Sequence, residues 1–175
     1  MQTLNNEIKR SYLPKGTNVF YVGLDNEFMA KAREKARFSN DQQQPVGAIL
    51  VCNGQVIDSD YNEGALSHPW LVKMHQKFCI RHFLGIPTGK YYWICPGCSD
   101  GKSHPEYKTC TRLLEKGIPG RPLDLYNWGH WAICPVCFLA MEKIKLDNLY
   151  LLKDCEKLFN PNHPENIIGR QFKLD

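Results

Sequence analysis

The stretch SHPEYKTCTRLLEKGIPGRPLDLYNWGHWAICPVC, residues 103–137, contains the features that decide the fold and its chemistry. It opens with the H-x-E tripeptide His104-Pro105-Glu106 and closes with the C-x-x-C motif Cys134-Pro135-Val136-Cys137. One His and two Cys are ligands that suit zinc, and three protein ligands leave a fourth position open for water. The spacing therefore predicts a metal centre of the catalytic type, with Glu106 close enough in sequence to exchange protons.

Both ends of this stretch fall at the starts of predicted helices. Apolar side chains recur at helical spacing over His104 to Lys116 and over Pro135 to Lys145. Helix N-termini carry partial positive charge, which favours a thiolate over a thiol. Two helix starts lying side by side can therefore hold a zinc ion through His104, Cys134 and Cys137.

Upstream of this stretch, the sequence predicts a helix followed by a β-hairpin. Asp25 to Phe38 is rich in alanine and has an apolar stripe, which indicates a helix. Pro45 to Cys52 is nearly all apolar, as in a strand covered on both faces. Asn53-Gly54 is a strong hairpin turn signal, so Gln55 to Tyr61 is predicted to be the returning strand.

Further short strands are predicted at Trp128 to Ile133 and at Leu149 to Leu152, and residues 118–127 are predicted to be a Pro/Gly loop. Helices that alternate with strands imply a layered α/β fold. Residues 1–24 are interpreted as an N-terminal extension, whose Phe20, Tyr21 and Val22 add a short edge strand. Residues 25–175 then form a single domain with an insert at about 65–102.

Composition is that of a globular domain of 175 residues with a net charge of +4. The first ten residues lack the apolar core of a signal peptide, and no apolar run approaches the ~18 residues of a membrane span. We therefore expect a cytoplasmic protein without a membrane partner, in which the closely spaced cysteines among the eight serve metal binding or catalysis rather than disulfides, and Cys52, Cys110 and Cys155 are buried structural thiols. No long Lys/Arg run indicates nucleic-acid binding, although the mild positive charge permits it.

The motif resembles that of the zinc-dependent cytidine/deoxycytidylate deaminase superfamily. Its zinc deaminases carry H-x-E followed by P-C-x-x-C, with the Glu as general acid and base. Val46-Gly47-Ala48 and the apolar residues after it look like the family's first strand, and residues 149–152 look like the strand after the C-x-x-C helix. The resemblance covers roughly residues 25–153 without the insert, and Ile133 stands where the family has a proline.

The resemblance implies a three-layer α/β/α sandwich with a mixed sheet of about five strands. It implies hydrolytic deamination of a cytosine-type nucleoside or nucleotide, with zinc on His104, Cys134 and Cys137 and with Glu106 moving protons. Asn62 falls where the family has an asparagine that contacts the substrate's sugar. The insert favours the deoxycytidylate branch, and family members commonly form homo-oligomers.

Aromatic residues precede the zinc cysteines, and among them Trp131 is predicted to contact the substrate by stacking on a base. A second interpretation within the enzyme class is a deaminase that acts on a base within tRNA or single-stranded nucleic acid. A third interpretation is a non-catalytic zinc module in which the two C-x-x-C motifs, at 95–98 and 134–137, close one structural site. Glu106 could also serve only as the acidic member of an S-x-x-E capping box.

The insert contains residues for a second zinc ion. Cys79 and His82 form a C-x-x-H pair, and Cys95 and Cys98 form a C-x-x-C pair twelve residues further on. This spacing is typical of a structural zinc site. His68 and His75 are alternative ligands for the same ion. A second H-P-E tripeptide, at 163–165, lies after both motifs and is interpreted as unrelated to the metal.

Overall fold

Five strands form one mixed sheet in the order β1-β5-β4-β2-β3. The strands of this computed structural model are β1 (Asn18–Val22), β2 (Gly47–Cys52), β3 (Gln55–Tyr61), β4 (Leu123–Trp128) and β5 (Asn148–Leu152). β5 runs parallel to β1 and β4, whereas β2 is antiparallel to β3 and β4. The structure describes residues 14–41, 43–86, 90–160 and 162–173. The predicted α/β class with a five-stranded mixed sheet is confirmed.

The described residues also form six α-helices. They are α1 (Glu27–Ala36), α2 (Pro69–Lys77), α3 (Ile80–Phe83), α4 (Pro105–Lys116), α5 (Pro135–Ile144) and α6 (Cys155–Leu158). Helix α1 packs on β2 and β4, helix α4 packs on β3 and β2, and α4 and α5 lie side by side. None of the helices in the described part of the chain has the length and apolarity that a membrane crossing requires.

Strand β2 shows that both faces of the sheet are covered. All six of its residues are buried, and successive strand residues point to opposite faces. A Cβ added to Gly47 would lie 2.1 Å from the carbonyl oxygen of Ala32 and 2.6 Å from the amide nitrogen of Ala36. The absence of a side chain therefore lets α1 lie directly on β2, with α4 on the opposite face.

The hairpin between β2 and β3 follows its turn signal. Asn53 and Gly54 both have positive φ angles, of 50° and 75°. This backbone is the one that a two-residue turn of the primed type needs, because its twist matches that of the strands. The hairpin fixes β3 at the edge of the sheet, and the chain leaves β3 at Asn62.

Two sequence predictions need correction in position. The strand predicted at residues 128–133 lies instead at Leu123–Trp128, within the predicted loop. Pro122 directly precedes this strand, where a missing N–H costs little. The predicted edge strand is present but longer, because β1 starts at Asn18 and pairs in full with β5. Part of the predicted N-terminal extension therefore belongs to the sheet.

An ion-pair network holds α4 against the hairpin. The Arg112 guanidinium donates two hydrogen bonds to Asp58, with an Nε–Oδ2 distance of 2.8 Å, and a third to Asp60. Lys108 lies 2.7 Å from the other oxygen of Asp60. Arg112 thus connects α4 to β3. Because α4 carries the H-x-E motif at its start, this network helps to orient the motif.

Candidate metal centre and cleft

The H-x-E and C-x-x-C motifs meet at the starts of two adjacent helices. His104 is the residue before α4 and Cys134 is the residue before α5, with Cys137 in the first turn of α5. Because α4 and α5 pack side by side, these three side chains converge. The structure therefore brings together the three residues predicted from the spacing of the motifs.

The distances within this group suit a zinc ion. The His104 Nδ1 atom lies 3.5 Å from the Cys134 sulfur and 3.6 Å from the Cys137 sulfur. In a tetrahedral site with Zn–S of about 2.3 Å and Zn–N of about 2.0–2.1 Å, a sulfur and a nitrogen ligand lie roughly 3.6 Å apart. His104 and Cys137 are buried, whereas Cys134 is half-buried. The group offers three ligands, and a tetrahedral ion there retains a fourth position.

Among the three side chains of this group, Cys134 is the one whose protonation is already shifted towards metal binding. Hydrogen bonds from Cys137 and His104 lower the pKa of Cys134 to about 4, although burial acts in the opposite direction. The hydrogen bond to Cys134, together with burial, raises the pKa of Cys137. One thiolate is therefore present at neutral pH, and binding of a divalent cation releases the remaining protons.

Glu106 lies beside this group with its carboxylate fully buried. Its Oε1 atom accepts hydrogen bonds from the Asn127 side-chain amide and from His130 Nδ1, the latter at 3.1 Å. Its Oε2 atom lies 3.8 Å from the Cys137 sulfur. One carboxylate oxygen is thus held by the protein, and the other faces the metal group.

Glu106 stays ionised despite its burial. Burial alone would raise the pKa of this carboxyl, but the hydrogen bond and charge of His130 and the charge of His104 outweigh it and lower the pKa to about 2. The capping-box interpretation is not supported, because the residue that precedes α4 is His104, whose side chain makes no capping bond. The Glu106 side chain is directed at Asn127 and His130 instead.

A cleft of about 340 Å³ opens onto this region. His104 and His130 line one part of it, and most of the other lining groups are polar. They are Asp41, Gln43, Gln44, Asn62, Arg81, His82, Tyr92, Ser99 and Asn166, together with Cys79, Cys98 and the apolar Val46, Ile86 and Ile168. Glu106 lies behind this surface rather than on it.

The two predicted substrate contacts differ in outcome. Asn62 lines the cleft, but its side chain is engaged with the backbone, accepting from Val46 N at 2.7 Å and donating to Gln44 O at 3.0 Å. Trp131 does not line the cleft and packs against the hydrophobic core. The substrate contact of Trp131 therefore stays a prediction: its half-buried indole packs against the core, whereas His130, the residue before it, lines the cleft.

A second group of ligand atoms lies in the insert. It consists of His75, Cys79, Cys95 and Cys98, whose ligand atoms all lie within 4.8 Å of one another. His75, an alternative ligand in the sequence prediction, takes the place predicted for His82, which lines the cleft instead. His68 caps α2, accepting a hydrogen bond from the Trp70 amide.

The two groups are separate. Cys95 and Cys98 associate with His75 and Cys79, whereas the C-x-x-C pair at 134–137 associates with His104. The arrangement in which the two C-x-x-C motifs share one closed ion is therefore not the one that this fold forms. The H-P-E tripeptide at 163–165 belongs to neither group.

Three residues of the site escaped the sequence interpretation. Asn127 and His130 come from the end of β4 and the turn after it, and Asp41 comes from the loop before β2. All three are buried and polar. A polar residue within a strand that is buried on both sides could have indicated Asn127. The sequence prediction placed that strand at residues 128–133, so Asn127 fell outside it.

No protein-family model matches this chain, and no curated protein matches it either.

Proposed function

We propose that this protein is a zinc-dependent hydrolytic deaminase acting on a cytosine-type nucleoside or nucleotide. The observation that carries the proposal is the pairing of Glu106 with the three-ligand group of His104, Cys134 and Cys137. Burial of an ionised carboxylate costs free energy, so the fold gains no stability from the fully buried Glu106 side chain. Its position next to an incomplete set of zinc ligands therefore supports a chemical role. General acid–base chemistry at an activated water uses such a pair.

The residues of the chain have distinct tasks in this proposal. A zinc ion on His104, Cys134 and Cys137 would supply Lewis-acid activation of a water molecule, lowering its pKa from 15.7 towards about 7. The Glu106 Oε2 atom faces the metal group, so it can accept the proton of this water. Glu106 then gives the proton to the ring nitrogen of the base. A second proton transfer, to the amino group, accompanies its departure as ammonia. A carbon–oxygen bond forms at the ring carbon and its carbon–nitrogen bond breaks.

Two further residues position this carboxylate. His130 and the Asn127 amide both donate to Oε1, which leaves the proton-transfer role to Oε2. The His130 ring also lies edge-on to His104, with 5.3 Å between ring centroids. Asn127 and His130 therefore couple the orientation of Glu106 to the orientation of a metal ligand.

The cleft has the size and polarity of a small-ligand site. Its volume of about 340 Å³ lies in the range of about 300–1,000 Å³ that is usual for such sites. Gln43 and Gln44 lie in its wall, with their side-chain amide nitrogens donating to the carbonyl oxygens of Gln76 and Gly129. Arg81 lies in the same wall with its guanidinium over the Tyr92 ring at 4.2 Å. A cation in the wall favours a substrate with a phosphate, which supports a nucleotide.

The Glu106→Gln variant tests the proposal. It keeps the shape and burial of the side chain but cannot accept the water's proton. We expect unchanged zinc at the His104 group and a fall in kcat of about 10²- to 10⁴-fold. Zinc content by mass spectrometry and ammonia release from cytosine nucleosides and nucleotides measure the two quantities.

The matched control is Glu165→Gln, in the exposed copy of the same H-P-E tripeptide. It is expected to leave zinc content and kcat unchanged. Full activity of Glu106→Gln with zinc bound would overturn the assignment. Turnover of a tRNA or single-stranded DNA substrate, with none of the free nucleosides or nucleotides, would instead favour the nucleic-acid branch.

A further inference from the structure

The described residues of the insert between β3 and α4 form no aliphatic core. Among its described residues, the buried side chains are His75, Cys79, Arg81, Cys95 and Ser99. Most of its large apolar residues are instead exposed, with Trp93 81% and Phe83 74% accessible. An ordered segment that buries cysteines and a histidine in place of leucines needs another source of stability. Metal binding is the usual one in small units of this kind.

We propose that His75, Cys79, Cys95 and Cys98 bind a second zinc ion in a closed structural site that builds one wall of the cleft. The Cys79 sulfur lies 3.4 Å from the Cys98 sulfur and 4.0 Å from the Cys95 sulfur. Cys98 Sγ lies 3.5 Å from His75 Nε2. These separations are too long for a disulfide of about 2.05 Å. They bracket the roughly 3.6–3.8 Å expected between ligands of a tetrahedral zinc ion.

Local backbone geometry is adapted to this group. The Cys98 amide donates to the Cys95 carbonyl at 3.0 Å, which folds the C-P-G-C segment into a tight turn. A Cβ on Gly97 would lie 2.2 Å from Cγ of His75, so the glycine leaves room for the imidazole ring. The glycine therefore accounts for the choice of His75 as fourth ligand.

A buried carboxylate stands near the histidine. Asp41 accepts a hydrogen bond from the Ser99 amide at 3.0 Å, and its charge acts on His75. In the described residues, Asp41 Oδ1 and His75 Nδ1 are both buried without a hydrogen-bond partner. Zinc-bound histidines commonly have a carboxylate near their second nitrogen, because it orients the ring. Asp41 is the available residue for that role.

The second site is linked to the first through the cleft. Cys79, Cys98 and Asp41 line the cleft that His104 and His130 also line. A metal ion in the insert therefore fixes the wall facing the candidate active site. This proposal does not depend on the deaminase activity, because four protein ligands close the coordination sphere and leave no position for water.

Zinc stoichiometry and X-ray absorption of the intact protein test the proposal. We expect two zinc ions per chain, with five sulfur ligands between them, an average of 2.5 per zinc. His104→Ala is expected to retain one ion, with three sulfur ligands and one nitrogen ligand. Cys95→Ser is expected to lower the content from two ions to one, whereas Cys52→Ser, at a buried cysteine of β2 outside both groups, keeps two.

A matched pair of variants tests the identity of the fourth ligand. His75→Ala is expected to weaken zinc binding at the insert, whereas His82→Ala, which changes a cleft residue outside the group of four ligands, keeps two ions. One zinc per intact chain, with two sulfur ligands and lost in His104→Ala, would overturn the second site. One zinc with three sulfur ligands, retained in His104→Ala, would support it while removing the metal from the proposed active site. The intact-chain measurement decides the question even if Cys95→Ser fails to fold.

Discussion

At the scale of single residues, the central arrangement is a carboxylate with two different oxygens. Glu106 Oε1 is fixed by Asn127 and His130, and Oε2 faces the metal group. A carboxylate held at one oxygen retains its orientation through a proton transfer at the other. Because His130 contacts only the oxygen that does not face the metal group, it is a positioning residue for the proposed reaction.

The His130→Phe variant tests this positioning role. The aromatic ring keeps its bulk, but the donor to Glu106 Oε1 is lost. We expect kcat to fall by about 10- to 100-fold with zinc content unchanged, as for partners that orient metal-site groups. Steady-state ammonia release and metal analysis are the measurements, with His163→Phe as the control. An unchanged kcat in His130→Phe would show that Glu106 needs no such support.

The sequence predicted the residues of the His104 group better than it predicted their surroundings. His104, Cys134 and Cys137 follow from short-range spacing, because a motif at a helix start has a narrow range of geometries. Asn127 and His130 depend on where β4 ends, which is decided by pairing with β2 and β5. Trp131 was assigned to the substrate from its place in the sequence just before the zinc cysteines, and in the structure its half-buried side chain packs against the core.

At the scale of elements, the packing of α1 on β2 depends on a missing side chain. Gly47→Ala would place a methyl group about 2.1 Å from a helix carbonyl oxygen. We expect a loss of about 1–3 kcal/mol in the free energy of unfolding, because the helix must move. Urea unfolding measures this change. Gly169→Ala is a control, since its φ of +79° carries strain but no contact lies within 4 Å. A smaller loss for Gly47→Ala than for this control would contradict the packing argument.

The attachment of α4 to β3 gives a pH-dependent prediction. Burial raises the pKa of Asp60, but the hydrogen bonds from Lys108 and Arg112 outweigh it and leave the pKa below 3.8. A depressed carboxyl pKa stabilises the fold above the unfolded-state value, and this stability is lost as the pH falls through the folded-state pKa. The Arg112→Met variant keeps the aliphatic stem and removes the ion pairs.

We expect Arg112→Met to lower the free energy of unfolding by roughly 1–2 kcal/mol at pH 7, since the ion pairs are only partly exposed. The difference from wild type narrows as the pH falls below about 4. Chemical unfolding at pH 7 and pH 3.5 measures it. Lys157→Met, in an exposed ion pair, is expected to change little at either pH. A difference independent of pH would place the effect in packing rather than charge.

Elements were predictable where local signals agreed with the final packing. The Asn53-Gly54 pair predicts only a hairpin turn, and the apolar run of β2 predicts only a buried strand. The ends of both hairpin strands were therefore predicted to within two residues. Strand β4 was misplaced because prolines and glycines at 117–122 indicate a loop that in fact ends at Pro122. The alternation of Leu123 and Leu125 with polar residues does indicate a strand. The prolines and glycines just before it led to the prediction of a loop instead.

At the scale of the whole molecule, two His/Cys groups that could each hold a metal ion flank one cleft. The His104 group comes from the helices on the sheet, and the His75 group comes from the insert. The α/β class could be predicted from element order, whereas the mixed sheet of about five strands was expected only from the family resemblance. The exchange of His82 for His75 could not, because C-x-x-H spacing does not determine which histidine faces the cysteines once α2 and α3 have folded.

The most direct test of the central claim is ammonia release by the wild-type protein with zinc bound at the His104 group. The panel contains cytidine, deoxycytidine and their monophosphates, with adenosine for comparison. The account predicts ammonia and the uracil-type product in equal amounts from at least one cytosine compound, and little turnover by Glu106→Gln. Absence of ammonia from every cytosine compound, with zinc content confirmed at that group, would contradict it.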